Sequence, residues 1–307
     1  MFSIINGQFF RSASANAGMS HSIGSATRSV EPALVARWLL KPIDEAELLV
    51  RNWLLNKTLR PSTLPQTIEE LVLEQAFAKE AIRLSLDDHR AVAKGLRGIK
   101  IQRQIGDVFR QSGTANTLLD LMEISHVMGL GGALANAPRP AQALSILLDG
   151  LEPEGVTDIY VDTGTFLPYA GLVCTGIMDI DTIRNMQPLK LLATCICPLG
   201  PKVKRGTRIA TVITGNTQYE MVAGEIVSVP KTLHPSSMVE VIPRRDFDVG
   251  AGRGNTVRFQ TPRSELGLVL DARGRPLALP DEDTERVSML RAWYGSMNTY
   301  PDEMLHR

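Results

Sequence analysis

The chain has 307 residues, 44% of them apolar, enough for a sizeable core and for two domains. Its 33 basic and 33 acidic side chains cancel, so no global field draws it to nucleic acid or to an anionic membrane. No apolar run approaches the ~20 residues of a membrane helix. Cys174, Cys195 and Cys197 lack paired spacing, which points to a reducing, cytoplasmic compartment and buried, inert thiols. Five scattered histidines complete no Cys/His cluster of zinc spacing, so no metal of its own is expected.

The first 30 residues hold Ser, Ala and two Arg with no acid before Glu31, as transit peptides do. They also hold Phe2-Ser-Ile-Ile-Asn-Gly-Gln-Phe-Phe10, two apolar runs around Asn6-Gly7, the strongest two-residue hairpin signal. A folded hairpin there argues against a cleaved leader. Residues 11–62 read as mostly helical, with Trp38 and Trp53 as core anchors. Thr63-Leu-Pro-Gln66 reads as a helix start, and the helix from about Pro65 to Ala93 places Ile68, Leu71, Val72, Gln75, Ile82 and Leu86 near one face.

A loop with Ser112-Gly113 precedes the run Ile124, Val127, Met128, which reaches the corner Gly129-Leu-Gly-Gly132. A helix starts behind Pro138 with Ala141, Leu144, Ile146, Leu147 and Leu148, and Asp158-Ile-Tyr-Val-Asp162 is the next strand. Residues 118–162 are therefore a strand–helix–strand unit of α/β type, a class that puts ligands at the carboxyl ends of its strands. Gly131 and Gly132 lie there without a Cβ. The corner suits either a flat ligand laid on backbone or a tight packing turn.

Beyond about residue 190, Leu191–Cys197, Arg208–Thr214, Tyr219–Val229, Met238–Ile242, Thr256–Phe259 and Leu266–Leu270 are short β-rich runs, spaced as in a small barrel or sandwich. A last helix, about Asp283 to Tyr294, turns Val287, Leu290 and Trp293 inward.

Several motifs invite sharper chemistry. Val161-Asp-Thr-Gly-Thr165 has the Asp-Thr-Gly of aspartic proteases, but Leu270-Asp-Ala-Arg-Gly274 is no second copy; a strand end with a turn is the favoured reading. His126-Val-Met-Gly129 has the His-x-x-Gly of cobalamin domains without the Asp, since Ile124 stands there, and His126 reads as packed or hydrogen-bonded. Gly250-Ala-Gly-Arg-Gly254 could nest a phosphate, but no helix follows and a loop is favoured. Lys202-Val-Lys-Arg-Gly206 has the look of a biotinyl or lipoyl turn, but Glu220-Met-Val-Ala223 stands where the acceptor lysine belongs. No Ser/His/Asp set, His-Glu-x-x-His or Walker loop occurs.

Six segments together resemble the carboxyl-terminal half of the glutamate mutase accessory family (the L component). They are Phe9–Ser20, Arg60–Gln66, Gly129–Ala143, Glu154–Thr157, Asp246–Gly252 and Gly267–Pro276, spread over nearly the whole chain. The resemblance implies an α/β fold: an actin/Hsp70/sugar-kinase-like ATPase half over 1–188 with a helical insert at about 11–62. A β-rich domain at 189–278 and a terminal helix at 279–307 follow. It implies that Gly131-Gly132 is the adenosine motif, with Gly129 and Asn136 in the same cofactor-binding corner. The serine of the family's Gly-Ser-Gly-Gly is Leu130 here.

In this resemblance a Gly-Gly-Ala-Thr-Thr-Asp type phosphate loop comes just before the segment at Phe2, so both phosphate loops fall outside the chain. ATP or ADP is then held weakly without a partner chain, and no catalytic residue is expected. The implied role is a non-catalytic or partner-dependent accessory protein, its partner a cobalamin-dependent mutase or the missing amino-terminal half. The alternative is a split or mis-started chaperone-like ATPase, completed by a separate amino-terminal half.

Overall fold

The computed structural model describes residues 1–5, 7–14, 18–20, 22–93, 119–174, 189–229 and 237–305, with the side chains of 171–174 left aside. The hairpin forms as read. β1 (Phe2–Ile5) pairs antiparallel with β2 (Gln8–Arg11), Ile5 opposite Gln8, and Gly7 has the positive φ such a turn needs. Asn6 lies outside the described residues, as does Ser112-Gly113. The helical stretch resolves into α1 (Ile23–Ser29), α2 (Pro32–Ala36) and α3 (Ile43–Leu59). Trp38 is buried, while Trp53 is partly buried against the ring of Phe77.

The long helix α4 (Ile68–Val92) starts three residues later than expected. Pro65 disfavours helical backbone at Leu64, and Thr67, not Thr63, is the cap: its side chain accepts from the Glu70 amide at 3.1 Å. Glu70 reaches back to the Gln66 amide at 2.7 Å. Thr67 thus caps the helix, and Glu70 engages the amide just ahead of the cap. Ile68, expected inward, is exposed as the first residue of the helix, whereas Val72, Gln75 and Leu86 are buried.

The strand–helix–strand unit stands as expected: β3 (His126–Gly129), the short α5 (Gly132–Ala135), α6 (Pro140–Leu151) and β4 (Gly155–Asp162), with β3 and β4 parallel. β5 (Leu189–Cys197) pairs antiparallel with β4, so one five-stranded sheet draws strands from either side of residue 188. Its order is β3-β4-β5-β11-β8, with β8 (Ile226–Val229) and β11 (Leu268–Asp271) on the far side. The run expected over Tyr219–Val229 is broken at Ala223-Gly224, where Gly224 has φ +91°. Its first part belongs to β7 (Thr217–Val222), which pairs with β6 (Arg208–Thr214) in a second sheet.

That sheet, β10-β9-β6-β7, includes β9 (Met238–Pro243) and β10 (Val257–Gln260). It is open, so the barrel form of the β-rich expectation is corrected: β6 and β9 pair centrally, while β7 and β10 are the two edges. Ile196, Val229, Leu268 and Leu270 share one core with Val212, Met221, Val239 and Val241 of the open sheet. Ala193, Cys195 and Val269 join the helical core instead. Period-2 alternation thus lets the five-stranded sheet serve two layers.

The terminal helix α8 (Asp283–Ser296), followed by α9 (Asp302–Leu305), ties these layers together. Leu290 and Trp293 are buried as expected, and Val287 is half-buried. The Tyr294 hydroxyl donates to Trp38 O at 2.9 Å, the Trp293 indole to Gly224 O at 2.8 Å, and buried Arg286 to Leu39 O at 2.9 Å. Opposite, α4 and α6 approach closely at Gly150, where a Cβ would lie 2.8 Å from Ile82 Cβ and 2.9 Å from Lys79 O. Gly150→Ala is therefore expected to cost about 1–3 kcal/mol despite its better helix propensity. Urea unfolding should show a lower midpoint at unchanged slope.

Candidate functional site

The corner is built by the end of β3. Gly129 is its last residue and is buried: a Cβ there would lie 2.9 Å from both Leu134 Cδ1 and Leu147 Cδ1, so this glycine lets α5 and α6 close on the strand. Gly131 has φ +119°, open mainly to glycine, and no atom lies within 4 Å of where its Cβ would be. Its carbonyl accepts from the amides of Leu134 at 3.1 Å and Ala135 at 2.9 Å, which starts α5. Gly132 is exposed, with only Asn136 Nδ2 near, at 3.7 Å from an added Cβ. Asn136 caps α5, its amide donating to Gly132 O at 3.0 Å. The structure therefore gathers Gly131, Gly132 and Asn136 on one exposed turn of backbone and places Gly129 beneath it.

Register puts Gly129 beside Val161, so the Asp162 loop is the neighbouring corner. The Asp162 carboxylate is buried and accepts from the amides of Gly164 at 3.2 Å, Phe166 at 3.1 Å and Leu167 at 2.7 Å. Those bonds cap α7 (Leu167–Cys174), the strand-end turn read from the sequence. His126 is hydrogen-bonded as read, Nδ1 lying 2.8 Å from Ser125 Oγ, and its ring stacks on Tyr160. The Gly250 loop binds its own acid: Asp248 Oδ1 accepts from the amides of Gly250 at 2.8 Å and Gly252 at 3.0 Å, which leaves those two donors engaged within the loop. Cys195 and Cys197 are buried, and desolvation pushes the Cys197 thiol up to about 12, so both are inert as expected. The Cys174 side chain lies outside the described residues.

The sequence reading missed a buried ion network. Lys79 Nζ lies 2.8 Å from Asp149 Oδ2 and sits over the Trp38 ring at 4.4 Å. Arg273 reaches Asp149 Oδ1 at 2.8 Å and Asp271 at 2.8 and 2.9 Å, a bidentate fork. Arg275 joins Asp271 at 2.8 Å and donates to Pro153 O at 3.0 Å. Burial raises the Asp271 carboxyl, but Arg273 and Arg275 outweigh it and hold the pKa well below the usual range. Burial likewise opposes Asp149, and Lys79 and Arg273 bring it down. The network lies at the start of β4, the glycine corner at its end, so the two share no chemistry. The sequence signal was Asp271-Ala-Arg-Gly-Arg275, charge packed directly behind the apolar run Leu268–Leu270.

Fold and corner define a layered α/β protein that offers bare backbone at the carboxyl end of a parallel strand pair. Among the described residues no group of three His, Cys, Asp or Glu side chains could hold a metal ion, and no helix is long and apolar enough to cross a membrane. The sequence model of a family described as MutL protein matches residues 3–181. The chain belongs to that family, the glutamate mutase accessory family whose resemblance its motifs carry. No curated protein and no solved structure matches it.

Proposed function

We propose that the protein is a partner-dependent accessory of a cobalamin-dependent mutase, with an actin-like half fold that receives the adenosine end of ATP or ADP at Gly131 and Gly132. The observation that carries this reading is the open backbone at Gly131 and Gly132, at the strand ends where α/β proteins take ligands. Asn136 stands beside it with an exposed amide able to donate to and accept from a base or ribose. Asp162, the carboxylate of the adjacent loop, is committed to backbone amides, which supports a site whose phosphate and Mg²⁺ side comes from a second polypeptide. The family membership supports a mutase as that polypeptide's setting.

Gly132→Val tests the corner cleanly, because Gly132 has no positive φ and an added Cβ meets nothing closer than 3.7 Å. Saturation-transfer NMR with adenosine should give a signal for the parent chain and lose it in Gly132→Val at unchanged melting temperature. Equal signals in both would remove adenosine from this corner. Copurification with a mutase without nucleotide supports the accessory role. ATP hydrolysis appearing only on addition of a separate phosphate-loop chain supports the alternative, a completed chaperone-like ATPase.

A further inference from the structure

Between α6, β8 and α8 the buried ion network borders a cavity of about 10 Å³, room for one occupant of water size. Ser145, Asp149, Arg273, Tyr294 and Thr299 give its lining polar groups, and the rest is apolar. The turn after α8 brings Thr299 there: Asn298 has φ +50°, and the Thr299 amide donates to Tyr294 O at 2.9 Å. Thr299 is 1% exposed, and its hydroxyl has no hydrogen-bond partner among the described residues. A buried hydroxyl in that position is costly and calls for a bound water or ion.

What the lining still offers is chiefly donors. Asp149 Oδ1 already accepts from Arg273, and Oδ2 from Lys79 and, at 3.1 Å, from the Ser145 hydroxyl. The Tyr294 hydroxyl donates to Trp38 O. Arg273 engages three of its five N–H groups with Asp149 and Asp271, which leaves two among the described residues. Charge runs the same way. Lys79, Arg273 and Arg275 face Asp149 and Asp271, three cations against two carboxylates, and all five side chains are at most 3% exposed. Glu80, the buried carboxylate next along α4, is taken up by Arg37 and Arg83. The network thus carries one positive charge in excess, where an unmatched charge is strongly disfavoured.

We propose that the cavity is an anion site for a single halide of chloride size, held by the Thr299 hydroxyl and Arg273, which brings the network to neutrality. Water matches the space but not the charge, while acetate and sulfate match the sign of charge but not the space. The site lies with the network at the start of β4, away from the glycine corner, and stands apart from the nucleotide reading.

Thermal unfolding of the full chain at constant ionic strength, with sodium acetate replaced stepwise by sodium chloride or bromide, tests this. The parent's melting temperature should rise with halide along a one-site logarithmic curve, as binding to the folded state requires. Thr299→Val, close in volume, should move that curve to about tenfold higher halide or more, because a hydrogen bond to a charged group is lost. Crystals of the parent soaked in bromide, which need no variant, should show an anomalous peak beside Arg273 and Thr299. Equal melting temperatures in acetate and halide, a response merely linear in halide, a Thr299→Val curve that coincides with the parent's, or an ordered water there without a bromide peak would each overturn the proposal.

Discussion

Asp271→Ala is expected to destabilise the protein by about 3–5 kcal/mol, the cost of breaking a buried charge pair on one side. The reason is local. Asp271 accepts from Arg273 and Arg275 at once, and both guanidinium groups are almost wholly removed from water. Without the carboxylate, two cations face each other beside Lys79, and Asp149 alone remains to balance them. Removing the charge on both sides should hurt less. Asp271→Leu with Arg273→Met, which replaces the pair by apolar volume, is expected to recover part of the loss. Thermal and urea unfolding of the parent and the two variants decide it; a double variant no better than Asp271→Ala would mean the network is not the source of the effect.

The same network sets an acid limit. Asp149 and Asp271 both have folded-state pKa values lowered by their cations. A lowered carboxylate adds stability that is complete above its unfolded pKa, about 3.9, and drains as pH falls from there through the folded value. Stability should therefore be flat with respect to these groups near neutrality and fall steeply below about pH 4. Asp271→Asn should flatten that acid limb while lowering stability at pH 7.

The second large effect concerns nucleotide. For this chain alone, calorimetry should find ATP no tighter than about millimolar and no hydrolysis, and an added chain that carries the phosphate loops should raise affinity by about 10³-fold. Charge-assisted phosphate contacts contribute about 1.5–3 kcal/mol each, and three or four of them account for that ratio at ~1.4 kcal/mol per tenfold. In the proposed reading the corner supplies only base and ribose contacts, through Gly131, Gly132 and Asn136, while both oxygens of Asp162 already accept from backbone amides. Micromolar ATP affinity in the isolated chain would refute this division of labour.

What was legible in the sequence was legible for local reasons. The β1–β2 hairpin with its turn at Gly7, the Gly131-Gly132 corner, the apolar face of α6 and the short β-rich runs of β6 and β9 each express a preference set within a few residues, and each forms where it was read. The misplaced start of α4 was a competition between two local signals, Thr63 and Thr67, settled by Pro65 and by the reach of Glu70. The candidate corner was visible because glycine without a side chain is itself a local statement.

The sequence by itself therefore determined the α/β character, the strand–helix–strand unit and the family. The tertiary structure alone decided that β5 and β11 join β3 and β4 in one sheet, and that the remaining strands stay open rather than closing. It alone brought Lys79, Asp149 and Arg273 together from α4, α6 and the turn after β11. The physical reason is range. Turn and periodicity preferences act between neighbours, whereas strand partners and buried counter-charges are chosen among residues far apart in the chain, by which pairing leaves no backbone group or charge unmatched in the interior.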